Sequence, residues 1–502
     1  MTTPPQPGAE PGTEPGTEPD GRPGTTSGTT SDPRRWSALA VLLLVQFMLI
    51  LDVSIVNVAL PEIQGDLGFT PSGLTWVVDG YVLMAGGFLL LGGRLGDVLG
   101  RRRMFLAGVV LFGVASVACG LAQSPAQLVT ARFVQGIGEA LAAPAALGLI
   151  AMLFTEHGER AKAIGYFGGI SGLAGTAGPI LSGVLVEFAS WRWIFLVNIP
   201  VAVVALVLVP RLVSAHRPSA GGRIDLPTAA GIALGFTGIV YGAIQAAEES
   251  WTSVLVLGPI TGGVLLLAVT VAYQARVTHP LVPLRFFTDR TRVAANVVTI
   301  FFFSVFFTQF FFVTLYLQNV LGFSALRTGF AFLPFGVMIG VGIGAATALT
   351  PRLGLRPVLT TGTIITTIGV LLFTRISADG SFLTELLPAS LAVALGSGLS
   401  LPCLGNGAVT NVTEDDAGLA SGLQQALQQV AGAVGLAVLA SIALRRAADL
   451  QASGVAPGAA IVDGYRLAFF VGAGLLVAAT IAALTLLSPG TDDREQPPAA
   501  VA

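Results

Sequence analysis

Four ionisable side chains stand in stretches where nearly every neighbour is apolar: Asp52, Asp79, Arg132 and Glu139. An Asp or Arg at the centre of a lipid-embedded helix costs roughly 2.5–3.5 kcal/mol on insertion scales, so such a residue is read first as functional. Asp52 and Arg132 have opposite charge and, at ~1.5 Å per helical residue, similar depths. They suit either a permanent buried ion pair or a coupled proton site. Glu139 falls ~20 Å from the start of its helix, near the midplane. There it is either a neutral acid hydrogen-bonded to Gln135 or another helix, or a carboxyl that takes a proton at one face and yields it at the other. Burial disfavours the charged form of a carboxyl, and each proton moved through the field supplies about 2.3 kcal/mol per 100 mV. That sustains roughly a fiftyfold gradient of an uncharged solute. Asp79 lies only one to two turns from the surface, where a hydrated interfacial carboxylate and a functional one stand as equal alternatives.

Other patterns carry less chemistry or none. In GGRLGDVLGRRR (Gly92–Arg103) a carboxylate, Asp97, closes an apolar stretch and is followed by a glycine turn and three arginines. Arginines alone would fix topology; the added Asp97 suits a latch at a helix end, paired with arginine or with a neighbouring helix N-terminus. GGISGLAGTAGPILSG (Gly168–Gly183) places small residues four apart, which lets helices approach closely, and its proline permits a bend. Eight phenylalanines crowd Phe301–Phe312; they either line a cavity for flat apolar molecules, with Phe307 foremost, or meet lipid and neighbouring helices. Gln309 and Gln318 are further candidate polar contacts. Cys119 and Cys403 sit in apolar stretches, and His157, His216 and His279 stand singly, so neither a disulfide framework nor a metal site is expected.

The elements that must position these groups follow from composition. Of 502 residues 53% are hydrophobic and only 11% charged, against about 25% in an average soluble protein. Charge is absent between Asp225 and Glu248, between Glu249 and Arg276, and between Arg292 and Arg327, and about 20 apolar residues suffice to cross a bilayer. A soluble enzyme, a disordered chain and a disulfide scaffold are excluded, and a net charge of −2 gives no reason to expect nucleic acid. Fourteen spans are expected, roughly 35–60, 73–95, 103–123, 126–154, 161–188, 191–213, 226–247, 252–275, 293–319, 325–350, 356–375, 383–408, 417–444 and 465–488. Most arginines gather in segments that share one side when both termini are cytoplasmic. Only Arg192, Arg327, Arg375, Arg445, Arg446 and Arg466 fall opposite, and the positive-inside rule favours that topology.

A faint repeat relates LGRRRMFLAG (Leu99–Gly108) to LGLRPVLTTG (Leu353–Gly362), and Gly165, Gly175, Gly178 to Gly422, Gly432, Gly435. The expected fold class is therefore all-α and membrane-embedded, with related six-helix bundles at 34–213 and 293–488, two inserted helices at 214–292, and polar tails at 1–33 and 489–502. Repeated halves around a midplane site are a common transporter plan. The single lysine, Lys162, among many arginines suggests a GC-rich bacterial genome.

With these residues in view, the chain resembles the major facilitator superfamily, in its fourteen-helix drug:proton antiporter branch of multidrug-efflux type. The resemblance rests on LDVSIVNVALP (Leu51–Pro61), GRLGDVLGRR (Gly93–Arg102), RFVQGIGEALAAP (Arg132–Pro144), GTAGPILSG (Gly175–Gly183) and WRWIFLVNIP (Trp191–Pro200). YLQNVLGFSALRTGFAFLP (Tyr316–Pro334) and GLASGLQQALQQVAGAVG (Gly418–Gly435) extend it. It implies the major-facilitator fold, alternating access, and export of lipophilic or amphipathic molecules, such as antibiotics, in exchange for protons. No cofactor beyond the proton gradient is implied; the partners are substrate, protons and membrane lipid, and the protein is expected to be monomeric in a bacterial plasma membrane. The resemblance assigns Asp52 and Arg132 to proton coupling; Glu139 and Asp79 join them as candidates from their own places in apolar stretches. Gly93, Arg94, Asp97, Gly100, Arg101 and Arg102 fall to a cytoplasmic gate, and Gly175, Gly178, Pro179 and Gly183 to the antiporter motif. Gln135, Glu139, Phe307, Gln309, Tyr316 and Gln318 are candidates for substrate contact. Glu139 replaces a residue that is usually small in the family, which makes it the candidate main carboxyl. Residues 417–444 carry no acid, so doubly cationic substrates gain no support. A dedicated exporter, or a proton symporter, of one metabolite is the alternative on the same fold.

Overall fold

Helices dominate because a backbone in lipid must satisfy its own polar groups. The computed structural model describes residues 34–154, 156–214, 225–277, 288–412 and 414–487; the expected tails at 1–33 and 489–502, with His216 and His279, lie outside them. Among the described residues fourteen helices are long and apolar enough to span: α1 (Arg34–Leu67), α2 (Gly73–Leu99), α3 (Arg101–Gly120), α4 (Pro125–Leu153), α5 (Gly158–Phe188), α6 (Trp193–Leu212) and α7 (Leu226–Gln245). The rest are α8 (Val254–Gln274), α9 (Arg290–Val320), α10 (Ala325–Leu353), α11 (Leu355–Phe373), α12 (Phe382–Ala408), α13 (Leu419–Ala452) and α14 (Pro457–Leu486). Alternation of fourteen spans puts the start of α1 and the end of α14 on one side, called here the termini end; the α1–α2 connection lies at the far end.

Several helices run past the expected limits. Helix α1 continues through Pro61 to Leu67, because a proline near a helix end removes only one backbone bond. Its extra turns bring Asp66 to Arg192 Nη1 (2.7 Å) and Trp191 Nε1 (3.0 Å). At the far end α13 extends to Ala452 and α14 begins at Pro457. Gly100 turns the chain between α2 and α3 at φ 99°, a conformation open to glycine.

Helices α1–α6 form one bundle, in which α4 packs on α2 and α3, and α1 on α5 and α6. Helices α9–α14 form the second, with α9 on α12, α13 and α14, and α12 between α10 and α11. The pair α7 and α8 is inserted between them, α7 resting on both α2 and α13. Lipid supplies little hydrophobic force between helices, so close backbone approach has to hold them together.

The bundles meet along two seams. Along α5 and α10 the far half is tight: a side chain at Gly183 would strike Leu326 Cα at 2.8 Å, and one at Gly329 would strike Ile180 Cα at 3.1 Å. Toward the termini end Gly165, Gly168, Gly172 and Gly175 on α5, and Gly340 and Gly344 on α10, face open space, with nothing within 4 Å of an added Cβ. Along α2 and α13, Gly86 lies against Gln429 and Ala426. The molecule is thus shut at the far end and parted at the termini end between α5 and α10.

Candidate functional site

Helices α1, α3, α4 and α6 converge on one carboxylate. Arg132 Nη1 donates to Asp52 Oδ2 at 2.5 Å, while Gln135 Nε2 and Asn198 Nδ2 each donate to Oδ1 at 2.8 Å. Arg132 also donates from Nη1 to Gln135 Oε1 and from Nε to the Val77 carbonyl, both at 2.8 Å. The Tyr81 ring lies 4.1 Å from the guanidinium carbon, a cation–π contact. Ser116 Oγ accepts from Gln135 Nε2 at 2.9 Å and from Asn198 Nδ2 at 3.4 Å. Asp52 is 0% and Arg132 1% exposed. A buried ion pair holds only when its remaining polar atoms are bonded as well, and here Gln135, Asn198 and Val77 supply those bonds. Gln135 is therefore spent on the network, away from Glu139.

Glu139, seven residues along α4, is 4% exposed and forms no ion pair among the described residues, with Arg132 and Asp52 near enough to act on it electrostatically and the Tyr81 side chain beside it. Gln429 Nε2, on α13 of the other bundle, approaches its Oε1 at 3.5 Å, and Oε2 has no hydrogen-bond partner. Glu139 thus stands where the two bundles face each other. Asp79 is 0% exposed and neither of its oxygens has a partner, which replaces the hydrated interfacial alternative with a buried carboxyl. An unpaired charge in such a place is expensive, so both acids are sites where adding or removing a proton changes local energy strongly.

At the termini end Arg101 joins Asp97 through Nε (3.2 Å) and Nη2 (3.1 Å) and donates from Nη1 to the Gly148 carbonyl of α4 (2.9 Å). Arg102 reaches the Pro210 carbonyl of α6 at 3.1 Å. These bonds tie α2–α3 to α4 and α6 within the first bundle. Gly93 faces Pro144, and Gly100 is the turn itself; Arg94 is half-buried nearby in α2. In GTAGPILSG (Gly175–Gly183) Gly178 packs on Ser54 of α1, and Pro179 and Gly183 meet α10, while Gly175 faces the open part of the seam.

The remaining candidates are scattered. Tyr316 Oη donates to the Ser377 carbonyl at 2.7 Å, and Gln318 Nε2 to the Val58 carbonyl at 2.8 Å, the latter crossing from one bundle to the other. Gln309 is 3% exposed with both amide atoms unpartnered. Phe307 lies against Gly432 of α13. Phe306, Phe310, Phe332 and Phe335 stack in series between α9 and α10, so most of the phenylalanine cluster fills the second bundle. Sequence reasoning did not single out Asn198, Ser116 or Gln429. Asn198 and Gln429 lay inside quoted motifs, yet neutral polar residues are too ordinary in spanning helices to mark themselves.

The description "Major Facilitator Superfamily" matches residues 42–436. The chain is 38% identical over 472 residues to puromycin resistance protein pur8 of Streptomyces alboniger, covering 93% of this chain and 94% of that protein. It is 37% identical over 414 residues to a lincomycin resistance protein of Streptomyces lincolnensis, covering 81% of this chain and 84% of that one. Among solved structures, a bacterial homologue of the human lysosomal transporter Spinster, in an inward-facing and occupied conformation, superposes with a TM-score of 0.64 at 16% identity, over 93% of this chain and 100% of that chain. A match running through both bundles, on fourteen spanning helices, makes the chain a member of the Major Facilitator Superfamily, a membrane transporter and not an enzyme.

Proposed function

We propose that the protein is a proton-coupled antiporter that exports lipophilic or amphipathic small molecules of the antibiotic type across a bacterial plasma membrane by alternating access. Both termini face the cytoplasm, so the open part of the α5–α10 seam faces inward. The observation that carries this reading is Glu139: an acid in no ion pair among the described residues, deep in the bundle, at the face where the halves meet. There a proton and a substrate compete for one polar position. A substrate entering from the cytoplasm displaces the Glu139–Gln429 contact and favours release of the proton; outward opening delivers the substrate, and reprotonation from outside resets the cycle. Asp52 and Arg132 hold the geometry of α1, α4 and α6 around this step, and Asp79 provides a second acid nearer the far end. The proton gradient is the only energy source the mechanism needs, and one chain suffices for it.

A narrower reading, a dedicated exporter of one antibiotic, is supported by two relatives named each for a single compound, puromycin and lincomycin, while a third is named a multidrug resistance protein. Reconstitution into liposomes with an imposed pH gradient separates the readings. Antiport predicts substrate-evoked proton release for a panel of lipophilic drugs, a dedicated exporter predicts it for one chemical class, and a symporter predicts proton movement with the solute. Absence of any substrate-linked proton flux would overturn proton coupling.

A further inference from the structure

The connection between α7 and α8 bridges the bundles at the far end, apart from the closely packed α5–α10 seam. On one side it is held by α13. Arg445 Nη1 donates to the Glu249 carbonyl and, at 3.4 Å, to that of Ala246, and the Ser441 hydroxyl meets the Ala243 carbonyl. Of these acceptors Ala243 is among the last carbonyls of α7, which have no partner within their own helix, and Ala246 is the residue that ends it. Arg445 and Ser441 therefore act as that helix's C-terminal cap, supplied by another helix. On the other side, among the described residues, one hydrogen bond ties the connection to the first bundle: Ser72 Oγ, in the α1–α2 connection, donates to Glu248 Oε1 at 2.5 Å, and nearby the Trp76 ring of α2 lies 6.4 Å from the Tyr241 ring of α7. Ser72 is 7% exposed and its hydroxyl also lies 3.1 Å from Thr70 Oγ1, whereas Glu248 is exposed.

A strap fastened to both bundles has to release one of them when the far end opens. Its two fastenings differ in strength. Parting from α13 would break several hydrogen bonds and strip a helix end of its cap; parting from the first bundle breaks the Ser72–Glu248 hydrogen bond, whose partners return to water, and separates the Trp76 and Tyr241 rings. We infer that the α7–α8 connection is an extracellular latch, fixed to α13 by Arg445 and Ser441 and released at Ser72–Glu248 each time the transporter opens outward. Ser72, Glu248 and Arg445 are then positioning residues for transport, and the inserted helix pair gains a part in the cycle as carrier of the latch. The inference rests on the alternating-access reading above.

Paired cysteines test it in full-length protein reconstituted in liposomes, since native Cys119 and Cys403 are buried. Ser72→Cys with Glu248→Cys, bridged by a short membrane-impermeant bifunctional thiol reagent, should lower substrate-driven proton exchange at least about tenfold, with recovery on reduction. Bridging Arg445→Cys to Glu249→Cys, which replaces the Arg445 fastening with a covalent one, should leave exchange within about twofold of that same double variant before bridging. Continued exchange with the first pair bridged, or equal arrest by the second, would overturn the latch. A single change gives an independent readout. Ala325, on the opposite seam, lies against Gly183 and is 7% exposed. Labelling of Ala325→Cys by an impermeant thiol reagent from outside should become several-fold faster when Ser72→Ala is added, because one lost hydrogen bond shifts the opening equilibrium by about that much. An unchanged labelling rate would overturn the inference. That measurement needs no transport, so a protein that exchanges no proton for any drug condemns the antiport reading while the latch is still judged.

Discussion

Asp52 is bonded on both oxygens by three side chains from two other helices, whereas Glu139 keeps one oxygen bare. The same residue type class thus serves opposite ends, and substitution should separate them. Asp52→Asn leaves the Arg132 charge buried without its counter-ion, which is expected to cost about 3–5 kcal/mol; thermal unfolding of the purified variant in detergent should show a marked loss of stability and a low yield. Glu139→Gln keeps shape and removes the ionisable proton. It should leave stability close to that of the parent and abolish substrate-evoked proton release in energised liposomes; undiminished release would remove Glu139 from the mechanism. The charged members of this site were legible in the sequence because a charge in an apolar stretch is rare. The amides that complete the network were not, because Asn198 on α6 is far from Asp52 along the chain and only the fold brings them to 2.8 Å.

At the scale of helices, the spans themselves were legible and their ends were not. Apolar length decides that a helix crosses; caps, prolines and far-end partners decide where it stops, as with α1 running on to place Asp66 beside Arg192. One such boundary can be titrated. Asp289 caps α9 by accepting from the Arg292 backbone N–H at 2.8 Å, and Asn411 Nδ2 donates to its other oxygen at 2.9 Å. Partial burial raises the Asp289 carboxyl, but the Asn411 amide, the Arg292 and Thr291 backbone N–H groups and the Arg292 charge outweigh it and hold it below the usual range. A carboxyl depressed in the folded state stabilises above its unfolded value of about 3.9 and loses that contribution as pH falls through its folded value. Asp289→Ala should therefore cost about 1 kcal/mol near neutral pH, and melting curves of variant and parent should converge as pH drops below about 4. Packing gives a second prediction: a side chain at Gly178 would strike Ser54 Cβ at 2.8 Å, so Gly178→Leu should prise α1 from α5 and lower folded yield, whereas Gly175→Ala, facing open space, should not.

For the molecule as a whole, the bundle plan was readable from charge distribution, glycine spacing and the faint repeat. The open end was not, since no residue pattern in the sequence says which end of the bundle pair is parted. The gate motif belongs to this scale. Asp97 and Arg101 brace the first bundle at its termini end, joined at 3.1 Å. Asp97→Asn should slow turnover several-fold while leaving apparent substrate affinity within about twofold; unchanged turnover in the liposome assay would count against a gating part.

The Asp52–Arg132 pair also bears on how the chain is made. Its partners are separated by 80 residues, which at bacterial synthesis rates of roughly 5–20 residues per second is a delay of several seconds or more. Throughout that interval the first hydrophobic segment leaves the ribosome carrying an acid whose neutralising arginine does not yet exist. A segment in that position stays beside the insertion machinery, or in contact with water, until the fourth one arrives. Nascent chains released before residue 132 should therefore be lost to membrane quality control far faster than chains released just after α6.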